Sequence, residues 1–159
     1  MITPTLFYRD PMAAIRFIEQ AFGFELAMLL TDDQGHVGHS ELHYDGAAIS
    51  VGREWESEAL LGSAKLRSPA SLDGIGTQFL RIGVSEPIDE HCARARAAGA
   101  RITQAPEDQF YGERTYRAMD PEGHIWNFWE KVRDVSVSEM ETASGLKAST
   151  SLQAEGTSA

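Results

Sequence analysis

An acidic residue followed by proline, with a glycine twelve positions after the proline, occurs twice in this chain: Asp10-Pro11 with Gly23, and Glu86-Pro87 with Gly99. Proline suits the first turn of a helix and glycine the residue just past its end, so each pattern predicts one helix. Each helix follows a β-like run, Thr3 to Tyr8 or Thr77 to Val84, and precedes further strands beginning near Glu25 or Arg101. The chain therefore reads as one small β-α-β unit built twice, leaving a cleft between the copies.

In the first unit, Asp10 is the expected N-cap of a helix whose apolar stripe is Met12, Ile15, Phe17, Ile18, Ala21 and Phe22. Strands are expected at Phe24 to Leu30, Val37 to Tyr44 and Ala47 to Gly52, the last two joined by the hairpin signal Asp45-Gly46. In the second unit a helix from Pro87 to Ala98 turns Ile88, Cys92 and Ala95 inward. Strands follow near Arg101 to Gln104, at Arg114 to Met119 and at His124 to Lys131. Residues 1–53 and 76–133 are the two modules of one domain, 1–133, with 54–75 as the connection. Residues 134–159 are rich in Ser, Thr, Ala and Glu, lack any aromatic residue, and read as a solvated tail.

The charge balance is 24 acids against 14 Lys and Arg, a net −10 over 159 residues. Phosphate binding wants a basic stripe, so nucleic acid and anionic membrane are poor partners, whereas a cationic ligand suits the excess. No apolar run approaches the ~20 residues of a membrane span, and the opening Met1-Ile2-Thr3-Pro4 lacks the layout of a signal peptide. One cysteine, Cys92, excludes an intramolecular disulfide and favours a reducing compartment; the cytoplasm is the expected location.

Tyr111-Gly112-Glu113-Arg114, followed by Asp120-Pro121-Glu122-Gly123-His124-Ile125-Trp126, resembles the glyoxalase, bleomycin-resistance and extradiol-dioxygenase superfamily, also called vicinal oxygen chelate proteins. The opening Leu6-Phe7-Tyr8-Arg9-Asp10-Pro11 through Ala21-Phe22-Gly23-Phe24 is similar to that family's first strand and helix. The resemblance covers roughly residues 3–131. It implies an α+β fold of two βαβββ modules that curl a mixed sheet into a cup, with helices on the outer face and a homodimer as the usual assembly.

Metalloenzymes of the family carry ligands at four strand positions, which the resemblance maps onto Thr3, Ser50, Phe79 (Gln78 if the register slips by one) and Asn127. A divalent ion needs about three or more carboxylate or imidazole ligands from different strands. These residues do not supply them, so neither a metal nor another cofactor is expected. Phosphate-cradling glycine loops are absent as well.

His39, Glu41 and His43 alternate on one strand face, but i to i+4 on a strand spans about 13 Å, too far for all three to share one ion. They could serve as two metal ligands with a partner elsewhere, as a polar cleft wall, or as a solvated face. On the last strand, the mapping turns Ile125, Asn127 and Trp129 into the cup and Trp126 and Phe128 under a helix; by the same parity Thr3, Thr5 and Phe7 look into the cup. Trp55 stands on the connection among Glu54, Glu56 and Glu58, where an aromatic could stack on a ligand or close an interface. Phe110 and Tyr111 precede the seventh strand, and Arg114 could hold a carboxylate or pin that loop.

The candidate ligand-binding set is thus Phe7, Trp55, Phe79, Phe110, Tyr111, Arg114, Asn127 and Trp129, with no catalytic residue assigned. The leading expectation is metal-free capture of an aromatic or cationic small molecule in a cleft completed by a homodimer, resembling the drug-sequestering bleomycin-resistance members. The alternative is a metal-dependent lyase, isomerase or dioxygenase drawing on Glu130, His124 or the His39 to His43 strand. A third reading, an interaction module, rests on the long connection and the tail alone.

Overall fold

Twice the chain runs strand, helix, three strands. The computed structural model, which describes residues 2–151, places β1 at Thr5–Tyr8, α1 at Pro11–Phe22, β2 at Glu25–Thr31, β3 at Val37–Tyr44 and β4 at Ala47–Arg53. The connection holds a two-residue strand pair, β5 (Trp55–Glu56) and β6 (Lys65–Leu66), around a one-turn helix α2 (Glu58–Leu61), then a 3-10 turn at Pro69–Ser71. The second module is β7 (Phe79–Gly83), α3 (Ile88–Ala97), β8 (Arg101–Asp108), β9 (Glu113–Met119) and β10 (Ile125–Lys131). Each module folds its strands into a four-stranded mixed sheet, ordered β1-β4-β3-β2 and β7-β10-β9-β8, with the outer pairs β1/β4 and β7/β10 parallel.

The punctuation that predicted the helices also caps them. The Asp10 carboxylate accepts from the Ala13 N–H at 2.9 Å, and Gly23 closes α1 in the left-handed region at φ 74°, a conformation that costs a glycine little. The second helix starts one residue later than expected, because Pro87 is itself the N-cap and has no side-chain acceptor to offer. Glu130 of β10 fills that role from outside, accepting from the Ile88 N–H at 3.0 Å. The strand expected at Arg101 to Gln104 runs on to Asp108; two register shifts against β9 let it pass Pro106, which an edge strand tolerates.

Leu6 and Tyr8 of β1, Ile49 and Val51 of β4, and Tyr116, Ala118, Trp126 and Phe128 of β9 and β10 turn to one common core with α1 and α3. Phe22 at the end of α1 lies 4.7 Å from Trp126 and 4.9 Å from Phe128, centroid to centroid, so the first helix is built into the second sheet. Burying aromatic side chains of this size stabilises by about 2–3 kcal/mol each.

Polar contacts tie the modules reciprocally. The β9–β10 turn docks where β1 meets α1: Glu122 accepts from the N–H groups of Arg9 (2.8 Å) and Asp10 (2.9 Å) and from the Ser68 hydroxyl (2.6 Å). Burial pushes the Glu122 carboxyl up, but these hydrogen bonds outweigh it and hold it below its ordinary range. On the other side, Arg94 of α3 grips Glu86 with two bonds of 2.7 Å beside Tyr44, which ends β3.

Within the stretch read from composition as a solvated tail, Val137–Ser144 forms a helix, α4. Ser136 and Glu139 make a reciprocal capping box, and none of the helix's residues is buried. Residues 152–159 at the end of the tail lie outside the described residues.

Candidate functional site

Strand alternation sends Thr5 and Phe7 of β1, Ser50 and Gly52 of β4, and His39 and Glu41 of β3 to the face of the first sheet opposite the core. There they line an open cup of about 610 Å³, together with Thr3, Val37, Gly38 and Trp55. The β3–β4 pairing runs from Tyr44↔Ala47 to Leu42↔Ile49. Beyond it the buried Ser40 hydroxyl donates to Val51 O (2.8 Å) and accepts from Val51 N (2.9 Å), standing in for ladder bonds.

Phe7 lies against the Cα of Gly52, where a methyl group would come within 3.4 Å of the ring. The phenyl thus forms part of the floor, with hydroxyls of Thr3, Thr5 and Ser50 around it and Trp55, 38% exposed, at one side. Glu41 stands between two imidazoles, 3.3 Å from His39 Nε2 and 3.9 Å from His43 Nε2. Among the described residues no group of three or more His, Cys, Asp or Glu has an arrangement that could hold a metal ion.

The four positions mapped from the family's metal enzymes divide two and two. Thr3 and Ser50 line the cup. Phe79, 55% exposed, and Asn127, 6% exposed, belong to the second sheet, whose free face shares no lining residue with the cup; Gln78 sits in a smaller recess with Thr5 and His124. Hydroxyls, a phenyl ring and a carboxamide are a poor donor set for a divalent ion. The residues present do not fit a metal. His124 and Glu130 are otherwise engaged: His124 Nε2 lies 2.9 Å from Phe7 O, and Glu130 caps α3.

The second sheet's free face carries Trp129, seated over Gly83 of the neighbouring strand. A methyl group at residue 83 would lie 3.0 Å from the indole. The Arg81 guanidinium covers the same ring at 4.8 Å and reaches across β10 to an ion pair with Glu113. Beside them Asn127, opposite Arg81 and Arg117 in the ladder, is buried with its Oδ1 unpartnered among the described residues.

The other candidates lie apart from both faces. Phe110 and Tyr111 meet edge to face at 5.1 Å in the β8–β9 loop, where Phe110 borders a shallow hollow with Arg133, Ser138 and Thr142 of the α4 region. Arg114 is engaged by Asp89 of α3 (2.8 and 3.0 Å) and Asp108 of β8 (2.8 Å), which pins the loop. Residues that the sequence reading did not single out include Arg81, Glu113, Gly52 and Gly83. The only signal for the glycines was their place inside strands, which marks a close approach.

At the core, His91 is fully buried between Tyr116 Oη (2.6 Å from Nδ1) and Phe22 O (3.2 Å from Nε2). Burial, aided by the Arg94 charge, pushes its pKa down to about 4. Burial likewise raises the Cys92 thiol, leaving it an inert part of α3's inner face.

The family model of the Glyoxalase/Bleomycin resistance protein/Dioxygenase superfamily matches residues 2–128. An uncharacterised protein of Mycobacterium bovis is 30% identical over 143 residues, 89% of this chain and 90% of that protein. The crystal structure of TioX from Micromonospora sp. ML1 superposes with a TM-score of 0.64 at 29% identity, covering 83% of this chain and 99% of TioX. A glyoxalase/bleomycin resistance protein/dioxygenase from Nocardioides shares the fold at a TM-score of 0.61 and 19% identity, over 86% of each chain.

Proposed function

Because the chain belongs to the glyoxalase/bleomycin resistance protein/dioxygenase superfamily, we propose that it captures an aromatic or cationic small molecule reversibly, without a metal, in the cup of its first sheet. The observation that carries this reading is the lining of that cup. Phe7 and Trp55 offer apolar faces, Glu41 offers negative charge beside His39 and Arg53, and three hydroxyls offer hydrogen bonds. A planar cation would stack on the aromatic surfaces and face Glu41.

An open cup buries only one side of a ligand. Exposed apolar side chains stand on both free faces, Met28 and Leu30 opposite Glu41 and His39 on the first sheet and Phe79 on the second. Covering them by a second copy of the chain would close the cup, and a homodimer is therefore part of the proposal. Its place is the cytoplasm, in keeping with a single, buried, reduced cysteine.

Isothermal titration of untagged protein against a panel of planar cationic and neutral aromatic natural products tests the reading. One ligand per chain at micromolar affinity or better is expected, weakened at least tenfold by Trp55→Ala or Glu41→Gln. Silence across a broad panel would overturn it.

A further inference from the structure

We propose that the free face of the second sheet is a binding site for an elongated planar cation, and that the chain's own Arg81 side chain occupies this site until such a ligand displaces it. The inference deepens the capture reading and rests on it for its biological role; its chemistry rests on four residues of the second module.

Recognition of a planar cation takes an aromatic face, an anionic partner and an acceptor for its remaining N–H groups. Trp129 supplies the face, and Gly83 beneath it is the reason the indole can lie so close to the sheet. Glu113 supplies the anion. Arg81 already uses both, its guanidinium 4.8 Å from the Trp129 ring and ion-paired to Glu113. Asn127 supplies the acceptor, and Arg81 leaves it unused: the residue is 6% exposed, its Oδ1 has no hydrogen-bond partner among the described residues, and it lies on the same face as Trp129, about 7 Å along the strand. A buried carbonyl oxygen without a donor favours any ligand that brings one.

The incumbent is also easily moved. Arg81 belongs to β7, the edge strand of its sheet, and its side chain is 44% exposed, whereas Glu113 is the more enclosed partner at 19%. A part-exposed pair of this kind is weakly held. The preferred ligand therefore carries an amidinium or guanidinium at one end for Glu113, an aromatic ring for Trp129 and an N–H donor at the far end for Asn127. A ligand lacking the far donor loses the contact that Arg81 cannot make.

4-Aminobenzamidine has these three parts, and benzamidine lacks the far donor. Equilibrium titrations of both probes would be run on the whole protein and on Arg81→Ala, Arg81→Ala/Glu113→Gln and Arg81→Ala/Asn127→Leu, with circular dichroism confirming that each variant is folded. Arg81→Ala is expected to bind 4-aminobenzamidine at least tenfold tighter than the parent protein. Glu113→Gln should abolish that gain, and Asn127→Leu should erase the preference for 4-aminobenzamidine over benzamidine. Equal affinity in the parent and in folded Arg81→Ala, or a gain that survives Glu113→Gln, overturns the proposal. The two readings fail separately. Loss of panel binding in Trp55→Ala with no Arg81 effect would leave capture in the first cup alone, and a silent panel with a Glu113-dependent gain in Arg81→Ala would leave only the second site.

Discussion

The Tyr8 hydroxyl donates to Asp120 Oδ2 at 2.6 Å, joining residues 112 positions apart at the base of the two modules. The same oxygen accepts from Trp126 Nε1 at 3.1 Å, while Asp120 Oδ1 accepts from the Glu122 and His124 N–H groups and shapes the turn. Burial, with the Asp120 charge next in size, raises the Tyr8 hydroxyl well above its ordinary pKa, so it stays a donor. Tyr8→Phe leaves a buried carboxylate oxygen one donor short. Urea unfolding should show a loss of about 1–3 kcal/mol, with the secondary structure of the folded protein unchanged.

Gly83→Ala tests the close approach of Trp129. The added methyl meets the indole at 3.0 Å and the ring must shift away from the sheet. A loss of about 1–3 kcal/mol is expected, together with a changed tryptophan emission spectrum. An unchanged spectrum would count against the packing described.

Stability should fall on mild acidification because of His91. Its folded pKa of about 4 lies below the unfolded value of ~6.5. Between these values the unfolded chain binds more protons, so stability rises with pH across the window and declines as pH drops from 6.5 toward 4. The full effect is on the order of 3 kcal/mol. Thermal melts at pH 7, 6 and 5 should show the decline, and His91→Gln, less stable at pH 7, should show a shallower one.

Ser136→Ala removes the side-chain half of the α4 capping box, the hydroxyl that accepts from the Glu139 N–H, and leaves the backbone N–H of residue 136 to donate to the Glu139 carboxylate. The loss of about 1 kcal/mol is local, since no residue of α4 is buried. Hydrogen exchange should accelerate in Val137–Ser144, while the urea midpoint of the protein stays where it was.

Much of the architecture was legible because its signals are local. Asp10-Pro11 and Gly23 mark α1 within a residue; the family mapping, extended by strand alternation, put Trp126 and Phe128 in the core and Thr3, Thr5 and Phe7 on the cup, while Ile125, Asn127 and Trp129, which it also turned into the cup, are not among the cup's lining residues. The capping signature Ser136 to Glu139 was present too, but the polar composition around it outweighed a four-residue pattern. What was not legible depends on strands far apart in the chain. Arg81 and Glu113 meet over Trp129 only because β10 lies between β7 and β9, and nothing near either residue announces the other. Arg114 was likewise open to a ligand role until α3 placed Asp89 beside it.

The Glu122 clasp has a bearing on how the protein comes to exist during synthesis. The N–H groups of Arg9 and Asp10, at the mouth of the first helix, receive their acceptor from a residue made more than a hundred peptide bonds later, and Ser68 meets it at the same carboxylate. The first module can gather its strands while the chain is still growing, but its entrance is finished only after Glu122 has left the ribosome. Until then the Arg9 and Asp10 N–H groups have only water or a passing neighbour to accept from them, and the clasp closes when the second module supplies Glu122.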